Sequence, residues 1–119
     1  MGANNAILEK SMSFAVRIVQ LYKFLCSERE EFVMSKQLLR SGTSIGANVR
    51  EAMQGQSKGD FTAKLSIALK EAVETEYWLE LLYRTEYLSE QQYESIGADC
   101  GEVARLLTAI VKSARAQRP

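Results

Sequence analysis

The chain has 119 residues, 46% of them hydrophobic, which predicts a single domain with one core over residues 1–119. Fifteen basic and fifteen acidic side chains cancel, so net charge does not draw the whole protein to nucleic acid, an anionic membrane or an acidic substrate. The N-terminus lacks a secretory signal pattern, and no apolar stretch approaches membrane-spanning length. We therefore expect a cytoplasmic protein without membrane contact, whose charged partners meet local patches.

A first helix is predicted from about Asn5 to Ser27, and it is apolar around much of its girth. Val16 adds to two apolar lines at helical spacing, which are Ile7, Ser11, Phe14, Ile18, Leu21 and Leu25, and beside them Leu8, Met12, Ala15, Val19, Tyr22 and Cys26. Packing in one bundle needs only one of these lines, so the additional apolar face predicts self-association. The alternative is a central helix that is deeply buried within one chain.

A second helix is predicted to follow the linker 28–34, to begin behind Ser35 and to end near Gly55 in a left-handed stop. Its interior carries Gly42 and Gly46, and each glycine in a helix costs about 1 kcal/mol relative to alanine. Such a cost persists where a neighbouring backbone must come unusually close. We therefore predict that this segment packs tightly against another helix.

A third helix is predicted to run from Ser57, which forms a capping pair with Asp60, to about Arg84. A fourth repeats the capping device at Ser89 and runs to about residue 115. Its inward seam follows alternating steps of three and four and comprises Tyr93, Ile96, Cys100, Val103, Leu107, Ile110 and Ala114. The only proline is the last residue, so four antiparallel helices with short loops are the simplest packing, an all-α up-down four-helix bundle.

Glu76 interrupts the third helix's inward stripe of Leu65, Leu69, Ala72, Leu79 and Tyr83. A carboxylate in such a position needs a partner, and Asn48 and Arg50 are the candidates. We expect a polar clamp that fixes helix register, with a catalytic acid as the alternative. Asn48 also forms a polar line with Ser41 and Ser44. Trp78 is expected in the core or a subunit interface, with base stacking as its alternative.

Histidine is absent, which removes the commonest general base and the commonest transition-metal ligand. Di-metal carboxylate bundles use Glu-x-x-His pairs, so the carboxylates of the third helix, Glu71, Glu74, Glu76 and Glu80, do not predict a metal site. Cys26 and Cys100 lie among apolar residues, which is typical of reduced buried thiols. We predict no catalytic residue, no cofactor and no metal.

Basic residues gather near the C-terminus, because no acidic side chain follows Glu102. A modest patch repeated around a ring of identical subunits can hold a polyanion that one copy cannot. Solvated helix faces are the alternative. The candidate residues for binding nucleic acid or another partner are Lys58, Arg105, Lys112, Arg115 and Arg118.

Two motifs carry a resemblance to a known family. The first is LRSGTSIGANVREA at 39–52, and the second comprises KLSIALKEA at 64–72 and ETEYWL at 74–79. Over most of its length, from about Phe14 to Lys112, the chain resembles the four-helix-bundle proteins encoded by intervening sequences within bacterial 23S rRNA genes.

The resemblance implies a homopentameric ring without known catalysis. It also implies a distant similarity to the accessory variability protein of diversity-generating retroelements, a basic pentamer that binds nucleic acid and a reverse transcriptase. The present chain departs from that relative because its net charge is zero. The positions that match the family's motifs, which we interpret mainly as packing residues, are Gly42, Gly46, Asn48, Arg50, Glu71, Glu76 and Trp78.

The leading hypothesis is a non-enzymatic homo-oligomer that binds a polyanion, with RNA preferred over DNA, through surfaces formed on oligomerisation. The second is a structural adaptor that binds a protein partner without nucleic acid. The third is an enzyme that uses Glu71, Glu74 and Glu76 as acid and base or as metal ligands.

Overall fold

Four α-helices make up most of the chain in the computed structural model, which describes residues 2–117. The helices are α1 (Gly2–Arg29), α2 (Met34–Met53), α3 (Lys58–Arg84) and α4 (Glu90–Ala116). Each packs against the next in chain order, and α4 closes against α1. The result is a four-helix bundle of 50 × 21 × 20 Å, without a strand in the described part of the chain. The predicted all-α bundle is confirmed.

Polar contacts between α2 and α3 establish that these helices are antiparallel. Thr75 Oγ1 donates a hydrogen bond to Ser41 Oγ at 2.9 Å, and Lys64 Nζ lies 2.8 Å from Glu51 Oε1. The partner that comes later on α2 therefore faces the residue that comes earlier on α3. All four chain segments accordingly alternate in direction, as the short loops require.

The core contains one apolar line of α1 and leaves the other at the surface. Ile7, Phe14, Ile18 and Leu25 are buried, whereas the second line lies at the edge of the bundle. Met12 and Val16 are 48% and 49% exposed. The alternative that α1 is a central helix buried within one chain is therefore wrong.

Side-chain caps begin α3 and α4 as the sequence predicts. Ser57 Oγ accepts a hydrogen bond from the Asp60 amide at 3.1 Å. At α4 the Ser89 hydroxyl accepts from the Gln92 amide, and the Gln92 side chain accepts from the Ser89 amide. These contacts satisfy backbone donors that have no partner inside the helix.

The N-terminus of α2 uses a different device. The buried carboxylate of Glu31 accepts hydrogen bonds from the backbone amides of Val33, Met34 and Ser35, at 3.0, 3.1 and 2.6 Å. The Ser35 hydroxyl instead donates to the Glu31 carbonyl at 2.8 Å. The expectation that the helix begins behind Ser35 is therefore wrong, because the Glu31 carboxylate in the linker caps a helix that begins at Met34, two residues earlier.

The helix ends at the linkers also differ from expectation. Gly55 was expected in a left-handed conformation, but within residues 2–117 no glycine has positive φ. Glu30 and Glu86 do, at 53° and 69°. After Glu86 the Tyr87 amide reaches back five residues to the Leu82 carbonyl and the Glu86 amide bonds to the Tyr83 carbonyl, so α3 ends in a Schellman turn with glutamate in the place that glycine usually takes. After Glu30 the Glu31 amide reaches back six residues to the Leu25 carbonyl, so α1 ends in a wider turn.

Candidate functional site

The glycine segment of α2 lies against α1, and its two glycines are unequally confined. A Cβ atom added to Gly42 would come 2.8 Å from two side-chain carbons of Ile18, which is closer than carbon atoms pack. At Gly46 the nearest atom would be the Ser11 carbonyl oxygen, at 3.4 Å. Bare backbone is therefore required at Gly42, whereas Gly46 has room for a methyl group.

Two other motif residues of this helix do not join helices together. Asn48 is half-buried, and its side chain donates to the Ser44 carbonyl of the same helix at 2.9 Å. Arg50 is exposed, and among residues 2–117 it has no acidic partner within 4 Å. Neither side chain contacts Glu76, so the predicted polar clamp between Glu76 and Asn48 or Arg50 does not form.

A hydrogen-bonded pair that sequence analysis missed joins α2 to α3. Thr75 and Ser41 are both fully buried, and the Thr75 hydroxyl lies 2.9 Å from Ser41 Oγ and 2.7 Å from the Glu71 carbonyl. The sequence predicts Ser41 as part of a polar line but does not single out Thr75, because the predicted inward stripe passes through position 76 instead of 75.

A charged cluster lies beside this pair at the surface. Arg40 contacts the Glu71 carboxylate at 3.4 Å and the Glu74 carboxylate more closely, and the indole nitrogen of Trp78 donates to Glu74 at 2.9 Å. The Trp78 and Arg40 hydrogen bonds lower the pKa of Glu74, whereas the contact with Glu74 raises the pKa of Arg40. Glu71 and Trp78 thus belong to a cluster at the α2/α3 contact, and the ring of Trp78 is half-buried.

Glu76 is exposed on the side of α3 that borders α4, so the prediction of an inward carboxylate is wrong. The physical reason is the rotation of α3 about its own axis. The predicted stripe and the buried line share Leu65, Ala72 and Leu79, but between and beyond them the bundle buries Ala68, Thr75 and Leu82, where the prediction has residues 69, 76 and 83. Burial, with a contribution from the Glu76 charge, raises the pKa of the Cys100 thiol to about 12, so this thiol stays protonated and unreactive.

The candidate basic residues lie along one side of the bundle and at one of its ends. Lys58 is the first residue of α3, while Lys112 and Arg115 lie on the last two turns of α4, where Arg115 donates to Ser66 Oγ at 3.3 Å. Arg105 is two turns further from this end. Arg118 lies outside the described residues.

Groups that could perform other chemistry are not brought together. Within residues 2–117 no three side chains among Cys, Asp and Glu converge in a way that could hold a metal ion. None of the helices in this part of the chain is long and apolar enough to traverse a bilayer. The surface instead exposes large apolar side chains, namely Met12, Val16, Phe32, Val33, Ile67, Val73 and Tyr77.

Comparison with known proteins confirms the family expected from the sequence. A family model described as 23S rRNA-intervening sequence protein matches residues 3–109. The chain is also similar to a crystal structure of a protein with unknown function from the S23 ribosomal protein family of Bacteroides thetaiotaomicron. The two sequences are 65% identical, the TM-score is 0.91, and the match covers 92% of this chain and 98% of that one. A search of curated proteins found no match. Because the family model spans most of the sequence, this chain belongs to the 23S rRNA-intervening sequence protein family.

Proposed function

We propose that this chain forms a non-enzymatic homo-oligomer, a pentameric ring in the cytoplasm, that binds RNA through the basic end of each bundle. The observation that carries this proposal is the separation of charge between the two ends of the molecule. The N-terminus of α3 and the C-terminus of α4 bring Lys58, Lys112 and Arg115 to one end. The opposite end contains five glutamates in or next to the two other linkers, which outnumber its basic residues Arg29, Lys36 and Arg84. They are Glu28, Glu30, Glu31, Glu86 and Glu90.

The basic side chains at this end are available to an external anion. Lys58, Arg105 and Lys112 are exposed, and within residues 2–117 no carboxylate lies within 4 Å of them. Their charge is therefore not neutralised by ion pairs inside the subunit. One copy provides too few contacts for strong binding, but several copies that engage one polyanion raise the avidity without any new type of contact.

RNA is preferred among polyanions because the family description names the intervening sequence of 23S rRNA. The wide apolar girth of α1 supports the oligomer, since Met12 and Val16 form an exposed surface that a monomer leaves in water. The cytoplasm fits the two free cysteines, because reduced thiols persist there.

A direct test titrates purified protein into labelled structured RNA and follows electrophoretic mobility at low and moderate salt. We expect a shift at low salt that weakens as salt rises, because binding releases counterions. Lys112→Gln combined with Arg115→Gln should weaken binding and reduce the salt dependence. The matched control removes two positive charges from the opposite end, with Lys36→Gln and Arg84→Gln, and should bind as the wild type does.

The absence of any shift at low salt would remove the RNA proposal. Equal weakening by the test pair and the control pair would show that binding depends on overall charge and not on the basic end. A duplex DNA of the same length, run beside the RNA, decides between the two nucleic acids.

An adaptor that binds a protein partner is the second candidate, and the linker between α1 and α2 favours it. Phe32 and Val33 are 54% and 75% exposed, and an adjacent apolar pair in a loop is costly unless a partner covers it. The measurement is recovery of co-purifying protein after nuclease treatment. Loss of that protein in a Phe32→Ser, Val33→Ser variant would favour the adaptor, whereas unchanged recovery would exclude this pair as its binding site.

A further inference from the structure

Two glycines of α4 have no explanation within one subunit. Gly97 and Gly101 lie inside the helix, where each costs about 1 kcal/mol relative to alanine. A Cβ atom at Gly97 would meet nothing within 4 Å, and one at Gly101 would meet only the flexible end of Arg105. At Gly42, by contrast, α1 occupies the space that the missing side chain leaves. The bare backbone of α4 therefore faces outward.

These glycines line a groove between α3 and α4, which we call the α3/α4 groove. Part of it is a surface cavity of about 560 Å³, which three glutamates make acidic. Beyond the cavity the groove is basic, because Arg105 reaches back over Gly101. The groove is lined by Glu76, Leu79, Glu80, Tyr93, Glu94 and Gly97 in the cavity, and by Gly101 and Arg105 beyond it.

The exposed face of α1 has the complementary pattern. Met12 and Val16 are half exposed and lie one turn apart. Glu9 precedes them and Lys23 follows them at spacings that keep all four on one face of the helix. Both charged residues are exposed, and neither has an ion-pair partner within residues 2–117. We call these four residues the α1 ridge.

Ion pairs between α1 and α4 set the relative heights of the ridge and the groove along the bundle axis. Lys10 lies 3.1 Å from Glu102, and Arg17 lies 2.6 Å from Asp99. Arg17 also donates to the Ser95 carbonyl at 3.3 Å. The stretch of α1 between residues 10 and 17 is therefore level with residues 95–102 of α4.

On this scale the apolar part of the ridge is level with the glycines of the groove. Met12 corresponds in height to Gly101 and Val16 to Gly97. These two pairs have the same spacing of four residues, about 6 Å along a helix. The two surfaces match in height although they lie on different sides of the bundle.

The charges at their ends match as well. Glu9 lies at the same height along the bundle axis as Arg105. Lys23 and Glu94 differ in height by no more than a lysine side chain can span. The ridge spans about 21 Å from Glu9 to Lys23, and the groove spans about 16 Å from Arg105 to Glu94. The long side chain of Lys23 covers the difference. When the two surfaces face each other without a shift along the bundle axis, opposite charges therefore meet at both ends.

We propose that the α1 ridge of one copy docks into the α3/α4 groove of a second copy, with Met12 and Val16 against Gly101 and Gly97. This proposal rests on the self-association in the proposed function and names its contact surface. The contact is heterologous, because each copy contributes a different patch on either side. Since ridge and groove have the same height, the repeated contact advances little along the axis and closes into a ring instead of growing as a filament.

This arrangement has a consequence for charge. All copies in such a ring point the same way, so every basic end lies on one face and every acidic end on the other. An RNA strand could then contact several basic ends at once, as multivalent binding requires.

The first test fills the groove. Gly97→Leu should raise the dissociation constant of self-association by about tenfold or more, measured by light scattering against concentration. Helicity and subunit folding should be preserved, because the space beside Gly97 is empty within the subunit. Ala109→Leu is the matched control, since it adds the same bulk to an exposed position of α4 outside the groove, and it should leave the mass unchanged.

The second test exchanges charges. Lys23→Glu alone and Glu94→Lys alone should each weaken self-association at low salt, because like charges then meet. The double variant should recover it. Lys36→Glu on α2 is the control for charge reversal and should not alter the mass, because Lys36 is exposed and, like Lys23, has no ion-pair partner within residues 2–117.

The outcomes separate the two proposals. A wild-type protein that is monomeric at all concentrations would overturn self-association and this contact together. An oligomer that is unaffected by Gly97→Leu, or by both single charge reversals, would overturn this contact and leave self-association through another surface.

Discussion

The contact of α2 with α1 includes bare backbone against an aliphatic side chain, whereas its contact with α3 includes paired polar groups. At Gly42 the Ile18 side chain fills the space of the missing Cβ. Across the other face, Thr75 donates to Ser41, and Arg40 joins Glu71 and Glu74. The first contact depends on shape and tolerates no added volume, while the second depends on hydrogen bonds that tolerate changes of shape but not the loss of a partner.

The largest expected effect comes from adding volume to the first contact. Gly42→Leu should destabilise the bundle by about 3 kcal/mol, because Ile18 is buried and cannot move aside without displacing α1. Chemical denaturation followed by circular dichroism measures the loss. An unchanged free energy of unfolding would contradict the close approach of α1 and α2.

Removing a donor from the second contact should cost less. Thr75→Val keeps the shape but leaves Ser41 without its cross-helix partner, and we expect a loss of about 1 kcal/mol. A double-mutant cycle with Ser41→Ala isolates the pair, and the coupling energy should account for much of that loss. Additive effects of the two changes would show that the hydrogen bond does not hold α2 to α3.

At Gly46, unlike at Gly42, adding a small side chain should increase the stability of the bundle. Gly46→Ala should stabilise the bundle by about 0.5–1 kcal/mol, because alanine is the better helix former and the new methyl group would meet Ser11 at an ordinary contact distance. Thermal unfolding beside the Gly42→Leu variant provides the test. Destabilisation of similar size at both sites would mean that α1 approaches the two glycines equally.

The smallest expected effect is the pH dependence of the charged cluster. The pKa of Glu74 is lowered in the folded state, so the cluster contributes stability above the ordinary value of 4.5 and loses it as pH falls through the lower folded value. Because the cluster is partly exposed, the contribution is a few tenths of a kcal/mol. The stability difference between wild type and Glu74→Gln should therefore shrink on acidification, and a difference that persists at low pH would exclude the carboxylate charge as its cause.

The sequence by itself determined the four helices, the caps at Ser57 and Ser89 and the glycine segment, because these depend on local hydrogen bonds, periodicity and propensity. It also determined the family through the motifs at 39–52 and 64–79. The basic residues of α4 were found from local composition, although composition alone did not place them with Lys58 at one end.

Tertiary structure alone decided which positions face which neighbour. Glu76 lies at the surface, and Glu31 caps α2 from a linker. Glu30 and Glu86 adopt a left-handed conformation, whereas Gly55, for which it was expected, does not. The Thr75 contact and the groove at Gly97 likewise exist only once two helices lie side by side. A helical repeat of 3.6 residues fixes the angle of a side chain about its own axis, but the rotation of that axis against its neighbours is set by packing across the whole bundle.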